Sequence, residues 1–525
     1  MSTFVLLMTI VPAATLLLVG FLPNRFVDQR VEKTRRWVTF LAGIQSVASV
    51  LALVVSLPML LVGSPGWVVR PFTQLSAFTV YYDGFTAMML ALVSFVGFVV
   101  CRYAIRYLDG EPQQGRFYRW AGMTIGSVSF VVFSGNLLLL LAAWVLTSLG
   151  LHQLLLYYPE RTGSQRAAWT KFAISRVGDV LLIAATALVF RQFGTFDLAE
   201  IFTAVQGQSG ESGWLPAIAW LFILAAVTKS AQFPLHSWLP ETMETPTPVS
   251  ALMHAGIVNA GGYLVIRLSP ILVEAPAALA ALSIIGTLTV TFAGIVMMTQ
   301  TSIKRSLAYS TIAQMGFMML QCGLGAFSAA MLHILAHSLY KAYAFLNSGS
   351  VLAEAAGMRK PASAPGSMFQ TATLPFALII STASVTLAAL MFGINLGSKS
   401  GGLVLAFVLT LALTTWLWDV LKLNSTRVTL TGMFVAGCLA IFYMAAYFTV
   451  DHIVAGSVTK FDGGGVLNAV AAADVVVLFC GLFLIQLILS TDRGREWFEP
   501  LRIHAVNGFY VDVLTERMFA SAKAD

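Results

Sequence analysis

The sequence contains little charge for its length. Of its 525 residues, 58% are hydrophobic and only 10% are Asp, Glu, Lys or Arg, and the mean hydropathy is +0.81. A water-soluble chain of this length could not bury so much apolar surface, so lipid must solvate much of it. The formal net charge of +7 would suggest nucleic acid as a partner of a soluble protein. In a membrane chain the distribution of the cations matters more, and we expect no nucleic acid partner.

Cysteine is scarce, and the common cofactor motifs are missing. Cys101, Cys322, Cys438 and Cys480 lie in or beside apolar runs without CxxC spacing, which indicates neither a disulfide framework nor a metal site. Neither GxGxxG nor GxxxxGK[ST] occurs, so nucleotide binding has no support. The Ser, His and acidic residues form no recognisable nucleophile constellation, and nothing resembles a haem, iron–sulfur or zinc ligand set. We therefore expect no enzymatic activity and no cofactor in this chain.

Apolar runs near the length of a bilayer fill most of the sequence. The first run lacks a basic leading region and a small-residue cleavage site, so it predicts a retained helix. Polar, Gly and Pro residues divide the chain into about 15 such runs, which predicts an all-α polytopic membrane protein of about 14–15 transmembrane helices. The predicted spans are 4–22, 38–62, 82–101, 120–134, 136–157, 170–190, 214–231, 247–268, 277–298, 306–325, 327–350, 371–393, 402–421, 430–450 and 467–490.

Lysine and arginine accumulate on one side of these spans. Most of the 31 fall in the C-terminal tail or in loops after odd-numbered spans, where we also place Lys171. Positive loops remain in the cytoplasm, so we predict an external N-terminus and a cytoplasmic C-terminus in a bacterial inner membrane. The tail from residue 494 mixes aromatic, apolar and charged positions, which fits an interfacial or partner-docking helix or a cap on the bundle. Loops after even-numbered spans hold Arg70, Arg191, Arg267, Lys399 and Lys460.

Lys229 is the strongest functional signal, because it ends an apolar run where a helix should cross lipid. A charge at mid-bilayer costs at least ~2.5–3.5 kcal/mol on insertion scales, so such residues normally face a cavity or a partner. Pro234 and Pro240 follow, and they predict a broken helix, which membranes tolerate only where the backbone faces protein or water. A buried lysine there can exchange protons.

Histidines follow in two neighbouring helices. His254 alone would more often be a packing residue, but beside a broken helix with a lysine we predict that it carries protons. Farther along the chain, three residues share one helical stripe at i, i+4 and i+8. A histidine pair at this spacing can also bind zinc, but the stripe holds no acid and its cation would repel the metal. We predict a row of proton carriers, formed by His333, His337 and Lys341.

Three further charged residues lie in or at the edge of the spans. Arg176 and Asp179 are three residues apart on one face of the sixth span. They form either a structural ion pair, or a site in which Asp179 is free to pair with Lys229. Asp83 begins the third span, where an interfacial cap or a loop ligand is the favoured role.

Four segments together resemble a known family: "TKSAQFPLHSWLPETMETPTPVSALMHAG", "TSIKRSLAYSTIAQMGFM", "SRVGDV" and "HILAHSLYKAYAFLNSGSV". They are similar to the antiporter-like, proton-translocating subunits of respiratory complex I and of Mrp-type sodium/proton antiporters. The resemblance implies two inverted five-helix repeats, each with a broken helix. The repeats would be residues 117–268 and 277–421, with flanking helices in 1–110 and 430–490 and an amphipathic tail in 494–525.

The resemblance also implies roles for individual residues. Lys229 matches the central lysine of the family's broken seventh helix, His254 the histidine of the eighth and Asp179 the acid of the sixth. Together with the connecting row of the eleventh helix they would form a hydrated polar axis for protons. That row matches His333, His337 and Lys341.

Two departures from the family pattern affect this axis. Val145 follows Trp144 where the family has a tryptophan–glutamate pair that modulates the lysine. Without the glutamate, the Lys229 cation is less stabilised unless Asp179 takes its place. The twelfth span has no Lys or Glu where the second broken helix of the family carries one, which argues against a complete path to the outside.

Within the family, the overall resemblance is to membrane subunits of DAB-type inorganic-carbon transporters. It implies a complex with a large zinc-containing, β-carbonic-anhydrase-like subunit, in which proton flow drives conversion of CO2 to bicarbonate. The zinc would lie in that partner. The alternatives are a proton-pumping subunit of a complex I-like or hydrogenase assembly, a sodium/proton antiporter subunit, and a passive membrane anchor.

Overall fold

The protein, described here from a computed structural model, is almost entirely α-helical over residues 2–63, 66–69, 78–207, 213–349, 368–399, 401–423, 425–461, 463–489, 492–511, 513 and 515. Strands β1 (Trp67–Val69) and β2 (Val80–Tyr82) form an antiparallel pair. The helices of the first half are α1 (Ser2–Val19), α2 (Asn24–Gln29), α3 (Val31–Leu61), α4 (Gly84–Tyr107), α5 (Gln114–Phe133), α6 (Leu137–Leu155), α7 (Thr162–Phe193), α8 (Leu198–Gly207), α9 (Leu215–Lys229), α10 (Trp238–Glu241), α11 (Thr247–Ala255), α12 (Ala260–Arg267) and α13 (Ser269–Leu272). Those of the second half are α14 (Pro276–Thr299), α15 (Ile303–Gly323), α16 (Phe327–Leu346), α17 (Met368–Met391), α18 (Gly402–Leu421), α19 (Thr426–Val454), α20 (Val466–Leu489) and α21 (Asp492–Val506).

Each of the predicted spans coincides with a helix, or with a helix that a break divides. Over the described residues, ten segments are long and apolar enough to cross a membrane. The remaining predicted spans correspond to α1, α5, α9, α15 and α16, which are shorter or carry more polar residues. The all-α membrane fold is thus confirmed. The limits of the two repeats and of the flanking regions stay predictions.

The predicted break of the seventh span is present. Helix α9 ends at Lys229, and residues 230–237 follow as turns before the short helix α10. Pro234 lies in this segment, after a cis peptide bond with Phe233. The eighth span, predicted as one continuous helix, is broken too, because α11 ends at Ala255 and a 3₁₀ turn (Ile257–Asn259) precedes α12.

The second broken helix that the family resemblance implies is not found in the twelfth span. Helix α17 is continuous from Met368 to Met391. Its internal proline, Pro375, is the eighth residue of the helix; it removes one backbone hydrogen bond but does not interrupt the helix. The non-helical segment instead follows α17, before Gly402 begins α18.

Close helix packing positions the broken segments at the centre of the bundle. In the stretch 247–267, 89% of the most apolar window is buried, against 6% in α20, so α11 and α12 are central and α20 is peripheral. Gly261 allows α12 to approach α9, since a Cβ there would collide with the carbonyl oxygen of Ala226 and the hydroxyl of Ser230.

The tail forms helix α21, which contacts α20 and α14. Gln300 donates a side-chain hydrogen bond to the Val506 carbonyl, and the ring of Phe509 lies 5.8 Å from that of Phe292. The described part of the tail therefore packs on the bundle, and its role as a cap or a docking helix stays a prediction. Trp497 is 84% exposed, so the same helix also presents an apolar surface. Residues 516–525 lie outside the described part.

Candidate functional site

Lys229 lies at the break, buried and without a hydrogen-bond partner for Nζ among the described residues. Its Nζ is 4.5 Å from the ring centroid of Trp144 on α6, a cation–π contact. A cavity of about 20 Å³ adjoins it and is lined by Trp144, Thr147, Gly256 and Asn259, among others. That volume holds about one water molecule. The gap predicted beside Lys229 is therefore present as a cavity with room for about one water molecule.

Asp179 faces this lysine from α7 but is already paired. Its Oδ2 lies 2.6 Å from Nη2 of Arg176. Lys229 is within electrostatic range of the Asp179 carboxylate, and Trp144 interacts with both residues. The structure therefore forms the ion pair, the first of the two predicted alternatives, while the same carboxylate still supplies negative charge near Lys229.

A second buried lysine lies beside this group. The prediction that Lys171 is a loop cation is wrong, because α7 already begins at Thr162 and Lys171 is only 2% exposed. Its Nζ donates to the Ser148 carbonyl (2.9 Å) and hydroxyl (2.8 Å) on α6. Lys171, Ser175 and Asp179 fall at i, i+4 and i+8 on one helix face. The same spacing predicted the α16 row, so it could also have predicted a buried Lys171.

His254, at the end of α11, joins two further helices. Its Nδ1 is 3.1 Å from the hydroxyl of Thr311 on α15, and its backbone carbonyl is 3.2 Å from Nε2 of His337 on α16. The His254 ring stacks on Phe345, with centroids 4.3 Å apart. All these side chains are buried, so the histidine is held in place from three sides.

The predicted stripe on α16 is confirmed as one face of the helix. The rings of His333 and His337 stack with centroids 5.9 Å apart and an interplanar angle of 14°. Lys341 is fully buried, and its Nζ donates to the Ser310 hydroxyl (2.9 Å) and the Leu307 carbonyl (3.1 Å). The ammonium group thus has neutral partners in these bonds, as a proton carrier requires.

Asn259 connects the two parts of the site. Its amide nitrogen donates to the Ser338 hydroxyl (2.9 Å), next to His337 on α16, while Asn259 itself lines the cavity at Lys229. Asn259 is the last residue of the 3₁₀ turn at this break (Ile257–Asn259). Lys229 and the α16 row therefore share one buried polar region.

In the other direction, the same stripe extends to the N-terminal end of α16. Ala329 is one turn before His333, and it lines a cavity of about 40 Å³ together with Lys399 and Tyr447. Lys399 forms an ion pair with Asp451 at 2.7 Å. The twelfth helix lacks an ionisable residue as predicted, but the segment after it brings Lys399 to the end of the row.

Asp83 lies apart from this polar region. It accepts a hydrogen bond from the Thr86 backbone N–H (2.8 Å), so the predicted capping role is confirmed. It also forms a buried ion pair with Arg267, with Nη1–Oδ2 at 2.7 Å and both side chains 1% exposed. The prediction that Arg267 is a loop cation is therefore wrong, since the pair neutralises it inside the bundle. Lys171 was assigned to the loops after odd-numbered spans and Arg267 to those after even-numbered spans. Removing one cation from each side leaves the excess of Lys and Arg on the predicted cytoplasmic side unchanged. The orientation of the chain in the membrane stays a prediction.

Two further points concern His236, which the sequence analysis did not single out, and the zinc alternative for the α16 histidines. The break buries His236 between the rings of Phe233 and Phe292. In the described part of the chain, no three His, Cys, Asp or Glu side chains converge as metal ligands. The zinc expected in a partner subunit stays a prediction.

Comparison with known proteins identifies the family. The model for the transmembrane region of NADH:quinone oxidoreductase and Mrp antiporter subunits matches residues 134–418. The chain belongs to this family. A second model, for the N-terminus of chain 5 of NADH-ubiquinone oxidoreductase (complex I), matches residues 74–118. The first match includes Lys229, His254 and the whole α16 row, and the second includes Asp83.

Curated relatives include inorganic carbon transporter subunits and subunits of NADH oxidoreductases. One is named probable inorganic carbon transporter subunit DabB2, from Halothiobacillus neapolitanus. It is 49% identical over 277 residues, which is 53% of this chain and 50% of that protein. A DabB from Hydrogenovibrio crunogenus is 44% identical over 50% of this chain and 51% of its own length. NADH-quinone oxidoreductase subunit L of Pseudomonas aeruginosa is 39% identical over 52% of this chain and 45% of its own length. The chain spans about half the length of the curated relatives it matches.

Solved structures share the fold. A chain of the Mrp complex from a Dietzia species superposes with a TM-score of 0.62 at 22% identity, covering 99% of this chain and 59% of that one. A chain of an archaeal membrane-bound sulfane sulfur reductase superposes with a TM-score of 0.57 at 17% identity, covering 95% of this chain and 97% of that one. At these identities the likeness concerns the fold alone.

The Asp83–Arg267 pair predicts a specific loss of stability. Asp83→Asn leaves a buried guanidinium without its counter-charge, which costs about 3–5 kcal/mol. We expect the purified, detergent-solubilised protein to lose its monodisperse size-exclusion peak at a clearly lower temperature.

Asp109→Asn is the matched control, since Asp109 pairs with Arg35 but is 71% exposed and such a pair contributes about 0–1 kcal/mol. Equal melting behaviour of the two variants would contradict the structural role of the buried pair.

Proposed function

We propose that this chain is the proton-conducting membrane subunit of a complex that accumulates inorganic carbon. The observation that carries the proposal is the buried polar region from Lys171 and Lys229 to Lys341, which contains three unpaired or neutrally bonded ammonium groups and three histidines. The DabB names of relatives with 42–49% identity support inorganic carbon as the substrate class. This chain carries protons, and the chemistry on carbon takes place in a partner.

Proton transfer at Lys229 depends on its neighbours. Asp179 supplies the negative charge that the missing fifth-helix glutamate would supply, and Trp144 covers the ammonium group. Lys171 lies within electrostatic range of the same lysine. Two ammonium groups this close repel, so arrival of a proton at one favours its release from the other. A water in the adjoining cavity accepts the proton and passes it toward α16.

The α16 stripe carries the proton farther. His337 and His333 are stacked neighbours, and neutral imidazole both accepts and donates a proton. Lys341 continues the stripe in one direction, and the Ala329–Lys399 cavity continues it in the other. In the predicted orientation that cavity lies toward the outside, so Lys399 and Asp451 provide the external end of the path.

The partner is a large subunit with a zinc site of the β-carbonic-anhydrase type. Its active site would hydrate CO2 to bicarbonate, and proton movement through this chain would make the conversion one-way. The peripheral helix α20 and the exposed Trp497 on α21 offer surface for such a subunit on the predicted cytoplasmic side.

The proton path predicts the effect of single lysine replacements. Lys229→Ala and Lys341→Ala, each expressed with the native partner, should reduce uptake of isotope-labelled inorganic carbon to the background of cells lacking this chain. Each removes a protonatable group from the row, while the protein should still be present in the membrane by immunoblot.

Lys460→Ala is the control, since Lys460 is exposed and lies in the loop before α20. Uptake at the control level in both Lys229→Ala and Lys341→Ala would exclude the proton-path role and favour a passive anchor.

The identity of the partner separates this proposal from its main alternative, a pump subunit of a complex I-like assembly, to which subunit L relatives are 37–39% identical. Purification from native membranes, followed by mass spectrometry of the associated chains, should give one large zinc-containing subunit in constant ratio. Recovery with iron–sulfur or quinone-site subunits, or with Mrp subunits, would overturn the carbon-accumulation proposal.

A further inference from the structure

Asp474 is an ionisable residue inside a helix that otherwise has none except a cysteine. Helix α20 reads VLNAVAAADVVVLFCGLFLIQLIL and is the most apolar of the membrane-length segments in the described chain. Asp474 lies eight residues after its first residue, about 12 Å along the helix axis. A carboxylate at that depth costs several times the thermal energy, at least ~2.5 kcal/mol on insertion scales. Such a residue requires a partner or a bound ion.

The neighbours of Asp474 supply hydroxyl groups and no cation. Helix α20 packs mainly on α14, and there the side chain of Asp474 interacts with that of Thr287. Ser283 lies one turn from Thr287 on the same face of α14, fully buried, and its hydroxyl has no hydrogen-bond partner in the described residues. Oδ2 of Asp474 is likewise buried and unpartnered there.

The helices around Asp474 hold no charge near it. Helix α14 contains no ionisable residue. On α18 the only charge, Asp419, is at the far end and pairs with Lys422. Helix α15 carries Lys304 and Arg305 only in its first turn, and its Tyr309 lies two turns from the same end. The charges of α21 begin after Leu489, beyond the end of α20. Asp474 therefore has no counter-charge on any helix that packs against its own.

The Thr287 hydroxyl donates its hydrogen to the Ser283 carbonyl at 2.8 Å. It is therefore a polar neighbour of Asp474 and not a counter-charge. An uncompensated carboxylate in so apolar a helix is destabilised relative to the neutral acid.

This site is separate from the proton row described above. The ring of Phe317 on α15 lies 5.4 Å from His333 and 6.0 Å from Phe479, one turn beyond Asp474. Phe317 and Phe479 thus connect α20 to His333 through aromatic contacts. The side chain of Asp474 lies near the lipid face, since Val470 and Val477 on either side are 52% and 67% exposed.

We propose that Asp474, with Thr287 and Ser283, forms a second proton-binding site at the α14–α20 contact, distinct from the Lys229–Lys341 region. The carboxyl group binds the proton, Thr287 is its polar neighbour on α14, and Ser283 offers a further hydroxyl one turn away. The site does not depend on the substrate of the complex, so it stands or fails independently of inorganic-carbon transport.

A lipid-soluble carbodiimide tests the site directly, because it reacts with protonated carboxyl groups in membranes. The native complex in its membrane is treated over a range of pH and digested, and the peptides are identified by mass spectrometry. We expect an adduct on Asp474 that decreases as the pH rises, and no adduct on that peptide in Asp474→Asn. Asp451 is the internal comparison, since its carboxylate already has a cationic partner in Lys399, 2.7 Å away.

An added membrane protein with a known reactive carboxyl confirms the reagent in each sample. Absence of an Asp474 adduct at every pH, with that standard modified, would overturn the proposal. The same reaction in sodium and in potassium salt at equal ionic strength distinguishes the ligand. Equal labelling supports a proton site, whereas protection by sodium alone would assign the carboxylate to Na⁺ and contradict it.

Discussion

An ammonium group buried in a membrane without a hydrogen-bond partner is the constraint on which the rest of this structure depends. Lipid offers neither counter-charge nor hydrogen bonds, so Lys229 can exist only where protein or water provides them. The end of α9 at this residue, the Trp144 ring over Nζ, and a cavity of about one water all meet that need. The break in α11–α12 meets it from the other side, because it brings Asn259 to the same cavity.

The ionisable residues of the bundle fall into two classes. Arg267 and Asp83 form a direct ion pair at 2.7 Å, which suits groups that hold helices together. Lys171, Lys341 and the histidines contact hydroxyls and carbonyls instead. A neutral partner does not fix the charge of the group it binds, so these residues can gain and lose protons without leaving an unpaired opposite charge behind. Asp179 belongs to the first class through its ion pair with Arg176, and its charge also acts on Lys229.

Much of the fold followed from the sequence, because membrane helices must be apolar and about 20 residues long. The break after Lys229 was predictable from its prolines, and the α16 row from its spacing. The break at residues 256–259 was not, because glycine alone tolerates several conformations and only the packing of α12 on α9 selects one. Lys171 and Arg267 were misplaced for one reason: a charge near the end of an apolar run looks like the start of a loop until its buried partner is known. Asp474 was missed because a single acid does not alter the hydropathy of its helix.

The central claim is that Lys229 and the α16 row form one path through the cavity at Asn259. The purified complex in liposomes, with a potassium diffusion potential and an internal pH dye, reports proton flux directly. Asn259→Leu fills the cavity and leaves every ionisable side chain in place. The account predicts a flux lower by on the order of tenfold or more, which corresponds to about 1.4 kcal/mol or more in the barrier, with unchanged incorporation and size-exclusion profile. Flux equal to that of the unmodified complex would contradict the connection.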